Sequence, residues 1–178
     1  MTKNKILKTR CTNQKVGKAV LVGILTLLTI GCSKQEDLDA KYGKCPYQRV
    51  GQYCIRSGVL LSHRDLNGLD LSSTSLSFAD LTGADLTFAD LTGADLSGAD
   101  LIGANLQNAK LSGANLTGAD LTGADLSGAS LTSATIVNAN LTKVDLSMAN
   151  LTGADLTGAD LTDVDFALTT MPDGSTHE

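Results

Sequence analysis

Tryptophan is absent from this chain, and its 178 residues include only three phenylalanines and three tyrosines. A broad globular core is therefore not expected, because such cores draw much of their buried area from aromatic side chains. Histidine is also scarce: only His63 and His177 occur, and neither accompanies a nucleophile motif. A catalytic constellation has little to stand on, and the chain reads as non-enzymatic. Phosphate-binding glycine loops, EF-hand loops and calcium-binding glycine-rich nonapeptides are missing as well, so no cofactor or metal is expected. Acidic residues, 19 in all, are absent from the first 32 positions.

Those first residues stand apart from the rest. Lys3, Lys5, Lys8, Arg10, Lys15 and Lys18 precede an apolar run over 19–30 and then Gly31-Cys32. This is the layout of a secretory signal over 1–31, with a run shorter than the roughly 20 residues a membrane span needs. Thr29-Ile30-Gly31-Cys32 resembles the lipobox of bacterial lipoproteins, which implies lipidation of Cys32 as the new N-terminus. An uncleaved anchor and an ordinary secreted product are the alternatives. Ser33, by resemblance to the sorting rule of double-membrane bacteria, points to the outer membrane, facing the periplasm.

Residues 32–44 read as a polar tether, whose reach when extended is on the order of 40 Å. The segment 45–63 reads as an N-terminal cap. Its Cys45 and Cys54 are expected to form a disulfide in an oxidising compartment, and Val59, Leu60 and Leu61 to supply apolar contact. A zinc site of Cys45, Cys54 and His63 would compete with that bond and lacks a fourth ligand of typical spacing. After Cys32 there are eight basic and 19 acidic residues, a formal charge of −11. Such acidity opposes direct contact with nucleic acid or anionic lipid, so membrane attachment falls to the lipid anchor.

From 64 to 168 the chain is written in 21 uninterrupted pentads, each with an apolar third residue. In Ala79-Asp80-Leu81-Thr82-Gly83, alanine and leucine are two apart and share one side of an extended segment. A continuous helix fits poorly, because five residues advance each leucine by about 140° around the axis. An ordinary sheet fits poorly too, since alanine, aspartate and glycine are weak strand formers and no hairpin signal divides the region. A solenoid remains, in which stacked coils bury a continuous column.

The motif Ala-(Asp/Asn)-Leu-x-x, kept in register from Leu66 to Leu161 and Phe166 with Ile136 as the other replacement, resembles the pentapeptide-repeat family. That resemblance implies an all-β, right-handed quadrilateral β-helix with four pentads per coil, here about five coils. It implies inward leucine and alanine, with the remaining positions facing out or turning corners. Val144, Val164 and Phe166 suggest a column that widens or closes near its end. Residues 169–178, with Pro172 and Gly174 setting a turn, read as a C-terminal capping tail.

With four pentads per coil, residues 20 apart share a face. One face then carries Asp80, Asp100, Asp120, Asn140 and Asp160, and the next Asp65, Asp85, Asn105, Asp125, Asp145 and Asp165. These two acidic faces are the candidate binding surface for an unknown protein partner. Some cytoplasmic family members resemble duplex DNA and bind DNA gyrase, which sets an alternative. The repeat's charge of −11 over roughly 25 Å is one per about 2.3 Å, against one per about 1.7 Å of duplex. A further alternative is a ladder surface that binds ice through Thr82, Thr122, Thr142 and Thr162 or a cation loosely through the aspartate ladders. Monomer and end-to-end homodimer fit equally well, the latter through Phe166 and Leu168.

Overall fold

The structure, a computed structural model, describes residues 49–50, 53–54 and 57–178. The signal segment, the tether, Cys32 and Cys45 lie outside the described residues. Strand β1 (Arg49–Val50) pairs antiparallel with β2 (Tyr53–Cys54), placing Arg49 opposite Cys54. Everything that follows is solenoid. Parallel bridges join residue i to residue i+20 from Leu60 and Asp80 through Asn150 and Thr170, so four pentads complete one coil.

The backbone hydrogen bonds show why the pentad has five members. The third N–H donates to a carbonyl in the next coil, as Leu81 does to Asp100 at 2.7 Å, and the fifth does likewise, as Gly83 to Ile102 at 2.9 Å. The second N–H donates to the previous coil, as Asp100 to Ala79 at 2.9 Å. The first N–H closes the corner, as Ala84 donates to Leu81 at 2.9 Å. Only the fourth N–H lacks a backbone acceptor, and the aspartate or asparagine two residues earlier accepts it: Thr82 donates to Asp80 Oδ1 at 3.1 Å. Where the second residue is aspartate or asparagine, as in this pentad, all five donors are thereby satisfied.

Inside, the leucines and alanines from Leu71 to Leu151 form one column with 0–2% exposure. Only one large side chain fits per face per coil, which is why leucine alternates with alanine. Val144 is accommodated within the column at 1% exposure. Val164 and Phe166 are only partly buried, so the core opens in the last coil.

The coil also extends past both ends of the 64–168 register. The pentad 59–63 is already in the ladder, with Leu61 donating to Asp80 at 2.7 Å and Asp80 to Val59 at 2.9 Å. Its apolar Leu60 stands where aspartate is usual, which hid the unit among the residues read as a cap. At the other end Thr170 donates to Ala149 at 2.9 Å, and Thr169, fully buried, donates its hydroxyl to the Leu146 carbonyl at 2.6 Å. The tail proper starts after Asp173. It turns back so that Thr176 pairs antiparallel with Thr170, and the His177 ring lies 5.6 Å from that of Phe166.

Candidate functional site

The lateral faces follow from this corner chemistry. The aspartates of the columns sit at the second position of their pentads, where a side-chain oxygen accepts the fourth N–H, an Asx turn. Thr122 and Thr162 add their hydroxyls to the same oxygens, donating to Asp120 and Asp160 at 2.6 Å each, and Thr142 donates to Asn140 at 2.7 Å. Three hydroxyls of the threonine column are thus committed to neighbouring carboxylates or amides. Asp85 is held in the same way by the Thr87 hydroxyl.

The bridges place the candidate acids as the 20-residue spacing predicts. Asp80, Asp100, Asp120 and Asp160 share one column, and Asp85, Asp125, Asp145 and Asp165 the next. Asp125 also accepts the Gln107 side-chain amide at 2.5 Å, a contact between coils that the pentad pattern does not announce. The two remaining columns are diluted. In one, Lys110 lies 3.4 Å from Asp90, an exposed pair of small energetic weight. In the same column region Ser112 and Ser130 share a hydrogen bond at 3.0 Å.

Asparagine does the same corner work, as Asn115 shows in accepting the Thr117 N–H at 3.1 Å. The corner therefore accepts aspartate or asparagine, and Lys110 shows that the coil also forms with neither. From position 65 onward, nine of eleven sites in the two acidic columns hold aspartate, against four of eleven in the other two. Folding alone does not account for that sorting.

The corner bonds hold several carboxyls below their ordinary value of 3.8. For Asp70, Asp90, Asp155, Asp160 and Asp173 the first cause is the hydroxyl two residues on, then that residue's N–H. At Asp125 burial pulls upward most strongly, but the N–H and hydroxyl of Ser127 together with Gln107 outweigh it. A carboxyl depressed by folding stabilises the folded state above its unfolded value and loses that contribution as pH falls through the folded one. Melting temperature is therefore expected to be level above about pH 5 and to drop steadily toward pH 2, as read by circular dichroism. An unchanged melting temperature at pH 2 would show that the corner bonds do not distinguish the two ionisation states.

Glycine at the fifth position is the feature whose meaning the pattern left unread. Every fifth residue from His63 to Leu168 has a φ near +60°, eleven glycines and eleven others. The corner is left-handed, a conformation glycine adopts without penalty. His63 occupies one such corner, its ring lying over Gly83 in the space a Cβ would need. Among the described residues no three histidine, cysteine, aspartate or glutamate side chains gather as a metal site, and no helix is long and apolar enough to cross a membrane.

A coil of four pentads, closed by its own backbone and cornered by side-chain oxygens, defines a solenoid repeat protein. The family model described as pentapeptide repeats matches in eight copies over 57–98, 79–118, 109–147 and 137–171, and the chain belongs to that family. Among solved structures it is similar to HetL, a pentapeptide repeat protein involved in heterocyst differentiation regulation in the cyanobacterium Nostoc. The identity is 42% and the TM-score 0.63, over 68% of this chain and 62% of HetL, so the chain spans less than two thirds of that relative. A pentapeptide repeat protein of the Arabidopsis thaliana thylakoid lumen is 36% identical with a TM-score of 0.56, over 58% of this chain and 72% of the other. A search of curated proteins returned no match.

Proposed function

We propose that this protein is a right-handed quadrilateral β-helix of about five coils, lipid-anchored through Cys32 in the bacterial envelope. In this reading it serves as a non-enzymatic scaffold that binds a protein partner through its two acidic faces. The observation that carries the binding role is the aspartate sorting, nine of eleven against four of eleven, where asparagine would turn the corner equally well. The signal layout supports the anchor, with the disulfide of Cys45 and Cys54 holding the entry to the first coil and the outer membrane as the site of attachment.

Two measurements test the two halves. Metabolic labelling with a fatty acid followed by fractionation is expected to find label in the membrane fraction, lost in Cys32→Ala; a soluble product with an intact N-terminus would sink the anchor. Affinity capture from envelope extracts is expected to lose its partner when Asp80, Asp100, Asp120, Asp85, Asp125 and Asp145 become asparagine. Equal capture by that variant would remove the acidic faces from the reading. A second reading, a DNA mimic acting on gyrase, draws on the axial charge density of the repeat. Inhibition of supercoiling by the purified repeat in vitro would favour it.

A further inference from the structure

The C-terminal end of the solenoid is chemically unlike its sides. Among the described residues, the N–H groups of Leu156, Leu161 and Phe166 find no carbonyl, nor do those of Gly158, Asp163 and Leu168 at the corners. Their counterparts one coil earlier all donate into this last coil, as Ile136 does to Asp155 at 2.7 Å and Leu146 to Asp165 at 2.8 Å. The tail adds backbone bonds on only one of the four sides, and its His177 ring lies 5.6 Å from that of Phe166 on the neighbouring side. The Met171 N–H donates to Ser175 at 2.7 Å, and the backbone turns back along Thr169 and Thr170.

The three sides whose ladder N–H groups stay open expose what is elsewhere core. Leu161 is 38% exposed, while its column mates Leu101 and Leu121 are at 0%. Leu156, Ala159, Val164 and Phe166 are partly buried, and Leu168 and Met148 extend the apolar surface onto one corner. An apolar strand edge with open backbone groups is a template for an added strand.

Charge selects the occupant. Residues 144–178 contain seven acids and no lysine or arginine. Asp155, Asp160, Asp163 and Asp165 are exposed around this end, the first two kept ionised by their threonine partners. A second copy stacked end to end would bring two such rims together, which like charge opposes. We propose that this end is a docking site for an extended, basic segment of a partner protein, which adds to the open ladder as the next stretch of coil. Its alternate small and large apolar residues would continue the alanine and leucine columns, and its lysines would meet the aspartate rim. The site shares Asp160 and Asp165 with the two acidic columns but is built on the open ladder of the last coil, and it stands whether or not the rest of those columns bind.

The test uses the purified protein and a two-pentad probe peptide of sequence Ala-Lys-Leu-Lys-Gly, repeated. Binding is expected to slow hydrogen exchange at the amides of Leu156, Leu161 and Phe166, and the same peptide with glutamate for lysine is expected not to bind. The double variant Asp160→Asn, Asp165→Asn keeps both corner oxygens and is expected to bind the lysine peptide about tenfold more weakly, some 1.4 kcal/mol. Three outcomes overturn the proposal. They are no binding, protection confined to the lateral columns, and concentration-dependent protection of the same amides without peptide, which would make a second copy the occupant.

Discussion

Replacing Leu106 by alanine is expected to destabilise the protein by about 2–5 kcal/mol, the range for a buried leucine whose neighbours cannot collapse into the space. Leu106 is at 0% exposure, and the residues directly below and above it in the stack, Leu86 and Leu126, are at 0% and 1%. Each coil is tied to the next by ladder bonds of 2.7–3.1 Å on every side, so the coils cannot close the gap without breaking them. The same change at Leu161, 38% exposed in the last coil, is expected to cost less, about 1–2 kcal/mol, because part of its surface already meets solvent and the open end leaves no closed cavity. Urea denaturation of both variants checks the contrast. Equal losses at the two sites would mean that the column is not the main source of stability.

The second large effect concerns a corner. Gly98 has a φ of +62°, and a Cβ there would lie 2.6 Å from the Phe78 ring of the preceding coil. Gly98→Ala therefore meets two penalties, a left-handed backbone costing about 1–2 kcal/mol for an L residue and a collision with an aromatic edge. Changing Phe78 to glycine removes the second penalty and leaves the first. The cost of Gly98→Ala is expected to be lower in the Phe78→Gly background by about 0.5–1.5 kcal/mol, a coupling that a double-mutant cycle of denaturation energies measures. Additive effects would show that the ring rotates away freely. Phe78 is itself 69% exposed at a φ of +56°, so Phe78→Gly alone relieves backbone strain while uncovering little core.

Much of this architecture is legible in the amino-acid order, and the reasons are local. Leucine every fifth residue with alanine two before it states both the sidedness and the period, since no other regular structure keeps those positions together. The grouping of aspartates into columns follows from that period once four pentads make a coil, and the bridge from Asp80 to Asp100 bears it out. The ends were harder to read because the marker residues are replaced there. Val59-Leu60-Leu61 lacks the corner oxygen, and Thr169-Thr170-Met171 lacks both the alanine and the leucine, yet both stretches lie in the ladder. Backbone bonds from the adjoining coil hold them in register despite the missing signals.

The role of the aspartates was half visible. Their outward placement follows from the alternation, but their service to the fourth N–H depends on a turn geometry that spacing does not encode. The left-handed fifth position was similarly hidden, because glycine there reads equally well as looseness. Lys143, Met148 and Leu168 take the same φ as their glycine counterparts, which shows that the ladder imposes the conformation.

The pairing of residue i with residue i+20 also governs how the protein can change in length. Removing five residues from the middle would turn everything beyond the cut by one side, so the column of Asp145 and Asp165 would move out of line with Asp65 and Asp85. Removing twenty leaves every column aligned and shortens the body by one coil, about 4.8 Å. Insertions and deletions that respect the surface pattern are therefore counted in whole coils, and gene duplication in units of twenty codons would lengthen the rod without redrawing it.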